Sequence, residues 1–130
     1  MPNSIFTKII RGEIPAQKIY EDDSTLAFLD IHPIVPGHTL VIPKLEVEFI
    51  WDLTDEDYKV LMDTVKKLGA HLRSVLGVPY VGIKVEGTGV PHVHVHLIPF
   101  STPAEFNKVG DQTAEPDFAA LDAMAKKLAF

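Results

Sequence analysis

Pro91-His92-Val93-His94-Val95-His96-Leu97-Ile98-Pro99 alternates imidazole with aliphatic side chains. Three of the chain's six histidines fall within this run. A β-strand sends successive side chains to opposite faces. The run therefore predicts a strand with all three imidazoles on one face, spaced about 6.7 Å apart. Val93, Val95 and Leu97 take the other face and can enter a core. Pro99 has no N–H for a ladder and is expected to close the strand.

Three chemistries fit such a row. It can be a surface strand that carries histidine without using it. It can be a metal site, with His92, His94, His96 and His38 as candidate ligands. The outer pair of the row, about 13 Å apart along a straight strand, would struggle to reach one ion. Or it can be covalent catalysis. A neutral imidazole is a good nucleophile and, once phosphorylated, a good leaving group, provided neighbours fix its tautomer.

Outward from the row, the hydrophobic periods outline a single α+β domain over residues 1–130. Ser4 to Arg11 reads as a short helix capped by Ser4 and ended near Gly12. Lys18 to Glu21 and Thr25 to Leu29 flank Asp22-Asp23-Ser24 in a hairpin pattern. His38 to Pro43 is a third strand. After an irregular crossover, Thr54 opens a long helix. Its apolar stripe is Tyr58, Leu61, Val65, Leu68, Leu72 and Val75, and Gly77 and Pro79 end it. Tyr80 to Val85 and His92 to Ile98 are the last two strands, with a glycine-containing loop between them. Residues 101–115 show little periodicity, and Pro116 to Leu128 reads as a terminal helix. Short connections imply antiparallel pairing. The expected fold is a five-stranded antiparallel sheet with the long helix on one face, the histidines on the other, and short helices at each end. His71 lies off the stripe and His32 sits in a turn-rich loop, so both are expected to face solvent.

Composition narrows the function. The chain has no apolar run long enough to span a membrane. Its first residues, MPNSIFTKIIRGE, lack a signal-peptide core, which makes the cytoplasm the expected location. Cysteine is absent, so disulfides and thiolate metal sites are excluded. A net charge of -6 argues against an extended nucleic-acid surface but leaves a small phosphorylated ligand open.

His92-Val93-His94-Val95-His96-Leu97-Ile98 resembles the His-φ-His-φ-His-φ-φ signature of the histidine-triad (HIT) family of nucleotide hydrolases and transferases, φ being apolar. Asp30-Ile31-His32-Pro33 and Gly37-His38-Thr39-Leu40-Val41-Ile42-Pro43-Lys44 resemble that family's Asp-Ile-x-Pro and Gly-His-x-Leu-Val-Ile-Pro-Lys. The resemblance covers roughly residues 4–100, by motif placement. The tail and helix at 101–130 lie outside it.

The resemblance implies a HIT-like fold, a homodimer and a purine nucleotide, or a conjugate of one, as ligand. It implies His94 as the nucleophile toward the α-phosphorus, forming a nucleotidyl-histidine. His92 would orient His94 through a backbone carbonyl or His38, and His96 would contact the phosphoryl or leaving-group oxygen. Asp30 would hold the ribose. Phe6, Phe28, Ile31 and Leu40 would form the slot for the base. The intact motifs favour the Hint-like branch, which cleaves nucleoside phosphoramidates. A dinucleoside polyphosphate (Ap4A-type) hydrolase and a weakly catalytic nucleotide-binding module are the alternatives. No cofactor or metal is required, because imidazoles and N–H groups already meet the charge. The chain departs from the pattern at Val85-Glu86-Gly87-Thr88-Gly89-Val90-Pro91, which is shorter than usual and lacks the customary Asn and Gln. Here the Thr88 hydroxyl and the backbone at Gly89 are expected to meet phosphate.

Overall fold

The computed structural model describes residues 3–130. In chain order its elements are α1 (Ile5–Ile10), β1 (Lys18–Glu21), β2 (Thr25–Leu29), β3 (Thr39–Pro43) and a 3-10 turn (Ile50–Asp52). Then follow α2 (Asp55–Leu76), β4 (Tyr80–Lys84), β5 (Val95–Phe100), α3 (Pro103–Phe106) and α4 (Phe118–Leu128). The five strands form one antiparallel sheet in the order β1-β2-β3-β5-β4. The chain leaves β3, crosses as α2, returns as the edge strand β4, and then lays β5 between β3 and β4.

Alternation along β2, β3 and β5 divides the sheet into two apolar faces. Ala27, Leu29, Val41, Val95 and Leu97 pack with Leu61, Val65, Leu68 and Leu72 of α2. Leu26, Phe28, Leu40 and Ile42 pack on the opposite face with Phe6 and Ile9 of α1. Leu61, Leu68 and Leu72 have no exposed surface. Burying each contributes about 1.5–3 kcal/mol. Thr54 caps α2 by accepting from the N–H of Asp57, and Gly77 ends it in a left-handed conformation.

The long helix departs from the expected stripe at its start. Tyr58 is 46% exposed. Thr64 turns inward instead, and its hydroxyl meets that of Thr25 at 2.9 Å. His71 is not a free surface residue. Its Nε2 lies 2.9 Å from the carbonyl of Leu128, and its ring packs on Phe130. The terminal helix begins at Phe118 rather than Pro116, with Asp117 as its cap. The tail also holds an element that periodicity missed. Thr102 and Glu105 form a reciprocal capping box around α3. α3 sets the Phe106 ring against Gly82 of β4, where any side chain would collide with it.

The triad strand is shorter than expected. β5 begins at Val95, and Pro99 lies inside it opposite Val81 of β4. β3 pairs with β5 only from Val41–Val95 to Thr39–Leu97, so Pro99 lies beyond the reach of that ladder. Residues 92–94 remain outside the sheet because they bond elsewhere: the Val93 N–H donates to the Val47 carbonyl at 2.7 Å and the His92 N–H to that of Val90 at 2.8 Å.

Candidate active site

Although His92 and His94 precede β5, the row keeps to one face. Phe6 meets both rings edge-on, with centroids 5.9 Å away for His92 and 5.2 Å for His94. His94 and His96 lie 5.2 Å apart, ring centre to ring centre. Helix α1 therefore walls the row on the side opposite α2.

Hydrogen bonds fix the protons on the rings. The Ile34 N–H donates to His38 Nδ1 at 3.2 Å, so the proton of neutral His38 sits on Nε2. That N–H donates to His96 Nδ1 at 2.9 Å, which leaves His96 with its own proton on Nε2. His94 Nδ1 lies 2.7 Å from the carbonyl of His92 and must donate to it. Its Nε2 is then a bare lone pair. His92 Nε2 donates to the Pro43 carbonyl at 2.8 Å. The row thus presents an unprotonated nitrogen on His94 beside a protonated one on His96. His94 is oriented through the backbone of His92, and His38 acts on His96 instead.

Burial favours the neutral form of His38, His92 and His96. His38 is held below the ordinary histidine range chiefly by desolvation, with Lys84 adding to the effect and Asp30 opposing it. Burial also lowers His92, against the bond to the Pro43 carbonyl and the charge of Glu46. His96 is pushed down to about 4, first by desolvation and then by the neighbouring His38 and His94.

Asp30 is half-buried. One of its oxygens accepts from the His32 N–H at 2.8 Å, and the other lies 3.7 Å from His38 Nε2. Asp30, His38 and His96 bring one donor atom each within 4.8 Å, a spacing that suits a metal ion. His92 and His94 are not part of that group. The proton on His38 Nε2 also makes that nitrogen a donor here, and a metal would have to displace it.

The apolar set divides. Phe6, Phe28 and Leu40 are buried in the α1 cluster, with Phe6 and Phe28 in edge contact at 5.4 Å. Ile31 is 43% exposed. His32 is half-buried and bonds the Ala114 carbonyl at 3.1 Å, so the tail covers it. A cavity of about 310 Å³ between residues 33–38 and α4 touches His38 but none of the triad.

In the loop before the triad, Gly87 and Gly89 adopt positive φ of 81° and 85°. The Thr88 hydroxyl, expected to serve a phosphate, donates to the Glu86 carboxylate at 2.6 Å. A carboxylate two residues away is the strongest acceptor in reach. That bond lowers Glu86, helped by the nearby Lys84 ammonium. The loop therefore brings an acidic group to the site.

Sequence reading also missed the set beneath His92. Ser4 Oγ lies 2.9 Å from His92 Nδ1, and Glu46 Oε1 accepts from the Ser4 N–H and the Thr7 hydroxyl, each at 2.6 Å. The only sequence signal was a Ser at a helix start, already accounted for by capping.

A model of the HIT domain matches residues 11–102. Protein hit of Bacillus subtilis is 43% identical over 102 residues, covering 75% of this chain and 70% of that protein. An adenosine 5′-monophosphoramidase of Saccharomyces cerevisiae is 37% identical over 125 residues, covering 95% and 79%. Among solved structures, a Hit-like protein from Bartonella henselae superposes with a TM-score of 0.85 at 31% identity, covering 98% of this chain and 95% of that one.

Proposed function

This chain belongs to the HIT-domain family, and from that premise we propose that it is a nucleotide hydrolase acting on a purine nucleoside phosphoramidate. His94 Nε2 attacks the α-phosphorus. A nitrogen–phosphorus bond forms, the bond to the amine breaks, and the amine leaves with a proton from solvent. The imidazole gains positive charge in this step, and the His92 carbonyl, already bound to Nδ1–H, stabilises it. His96 Nε2–H hydrogen-bonds a phosphoryl oxygen. Water then attacks the same phosphorus and frees His94. Asp30 binds the ribose, and Phe6, Phe28, Leu40 and the exposed Ile31 border the base. The backbone at Gly89 faces the phosphate.

The observation that carries this reading is the proton order: a bare nitrogen on His94 next to a protonated one on His96. That is the arrangement for nucleophilic attack with charge stabilisation at one phosphorus. The test is a panel of adenosine 5′-phosphoramidate, a dinucleoside polyphosphate and a nucleotidyl sugar, with acid-quenched protein weighed for a nucleotidyl adduct on His94. We expect the phosphoramidate to turn over fastest and the adduct to appear. Fastest turnover of the polyphosphate would move the chain to the Ap4A-type alternative. Binding without turnover or adduct would leave a nucleotide-binding module.

We also propose a homodimer joined along β4. That strand is an edge and leaves Tyr80 and Ile83 exposed, with Val85 exposed just beyond it. Light scattering should give twice the 14.4 kDa chain mass, and a monomer at micromolar concentration would refute the dimer.

A further inference from the structure

We propose that Ser4 is a positioning residue: its hydroxyl donates to His92 Nδ1, sets the tautomer of that buried ring, and so fixes the carbonyl that orients His94. The inference rests on the hydrolase reading for its effect on turnover, but not for its effect on the ring.

Neutral His92 has one proton, and the Pro43 carbonyl claims it for Nε2. Nδ1 is then an acceptor on a ring with no exposed surface, where an unmet acceptor is costly. Two hydroxyls are near it, Ser4 at 2.9 Å and Thr7 at 3.4 Å. The Thr7 proton is spent on Glu46 Oε1 at 2.6 Å, so Ser4 must be the donor. The hydroxyl of Thr7 is the other acceptor open to Ser4, at the longer distance of 3.3 Å.

Ser4 does a second thing with the same oxygen. It accepts from the Thr7 N–H at 3.0 Å as the cap of α1. Glu46 grips the same turn through the Ser4 N–H. One hydroxyl thus joins the start of α1 to the first imidazole of the row, and α1 carries Phe6 against His92 and His94. The three bonds to Ser4 Oγ and His92 assign every proton: Thr7 N–H to Ser4 Oγ, Ser4 O–H to His92 Nδ1, and His92 Nε2–H to Pro43.

The two duties of Ser4 separate by substitution. Ser4→Thr keeps both the cap and the donor. Ser4→Asp keeps the cap, since Asp is as good a cap as Ser, but a carboxylate only accepts. Nδ1 of His92 would then have to take up a proton to face it. Ser4→Ala loses both. The readouts are the ring nitrogen shifts of His92 and the Nδ1 proton of His94 by NMR, with kcat and KM on the nucleoside phosphoramidate.

We expect Ser4→Asp to give a doubly protonated His92 at neutral pH. Its kcat should fall about tenfold with KM within about twofold, because only the orienting of the nucleophile is disturbed. Ser4→Thr should resemble the wild type in both readouts. A Ser4→Asp protein with wild-type His92 shifts and wild-type kcat would overturn the proposal. So would impairment in Ser4→Ala alone, because Ser4 would then be a cap and nothing more. If the NMR shifts move as expected in a protein that turns over no phosphoramidate, the positioning stands and the hydrolase reading falls.

Discussion

At one end of the imidazole row His92 is fully buried and held by a hydroxyl and a carbonyl; at the other, His96 is half-buried and held by a second imidazole. Both rings are kept neutral, but for different uses. Both nitrogens of His92 are consumed by bonds to the fold, so that ring can only position. His96 spends one nitrogen on His38 and keeps the other, with its proton, available. A row that reads as three equivalent histidines is therefore a scaffold end, a reacting centre and a donor end. Sequence alternation cannot distinguish them, because the partners that set the two ends lie 49 to 88 residues away.

The sharpest break lies between the two ends. His94→Ala removes the one ring of the row with a bare Nε2 and should lower kcat by about 10³-fold or more, while nucleotide affinity stays within about tenfold. Single-turnover kinetics beside equilibrium binding of a nucleoside monophosphate would check it. Retained turnover in a clean preparation would mean that neither end serves His94.

The donor end is tested next. His38→Leu removes the N–H that holds His96 Nδ1, and losing one buried bond should cost about 1–3 kcal/mol, or about 5- to 160-fold in kcat. His38→Gln retains an N–H for His96 while giving up the acceptor for Ile34, so it should recover part of the loss. Melting curves of both variants separate this from unfolding. If His38→Gln is as impaired as His38→Leu at equal stability, His38 does more than set a tautomer.

Acid should weaken the fold through both ends at once. His38, His92 and His96 all titrate lower in the folded chain than an ordinary histidine near 6.5. Above that pH the rings are neutral in both states and contribute no pH dependence. Below it the unfolded chain binds protons that the folded chain refuses, so stability falls as pH drops from the unfolded value toward the folded one. For His96 that window runs from 6.5 to about 4. The slope for one group is at most about 1.4 kcal/mol per pH unit, and solvent at a half-buried ring reduces it. Urea titrations from pH 7.5 to 4.5 should show this decline, and NMR should find His96 neutral at pH 5.5. A His96 ring that titrates above 6.5 would remove the distinction between the ends.

Much of the scaffold was legible because it repeats. The apolar stripe of α2 and the alternation in the triad strand report periods of 3.6 and 2 several times over, while turn residues mark the hairpin of β1 and β2 and a proline marks the end of β3. Single contacts were not legible. Tyr58 fits the stripe but lies too near the helix start to be covered. Val93 pairs with Val47 rather than with the sheet, which no local pattern encodes. His71 is tied to Leu128 at the end of the terminal helix and His32 to Ala114 in the stretch without periodicity, and no local pattern encodes either contact. Of the candidate site, residue identity was readable from the motif, but proton order was not. Ser4 looked complete as a helix cap, so its second bond carried no separate signal.

The smallest expected effect concerns the loop at the donor end, where Glu86 stands near His94 and His96. A carboxylate there repels an anionic nucleotide and partly offsets Lys84. Glu86→Gln removes the charge but keeps an acceptor for the Thr88 hydroxyl, so the loop should hold its shape. Because Glu86 is exposed, water and salt screen it strongly, and kcat/KM should rise only about two- to fivefold at low ionic strength. The gain should shrink as salt is added, which a change in loop geometry would not do. A substrate with a cationic leaving group should gain less than a neutral one, because the carboxylate attracts that group while it repels the phosphate. Equal gains on both substrates, unaffected by salt, would mean that Glu86 acts through the loop backbone and that the donor end is set by His38 alone.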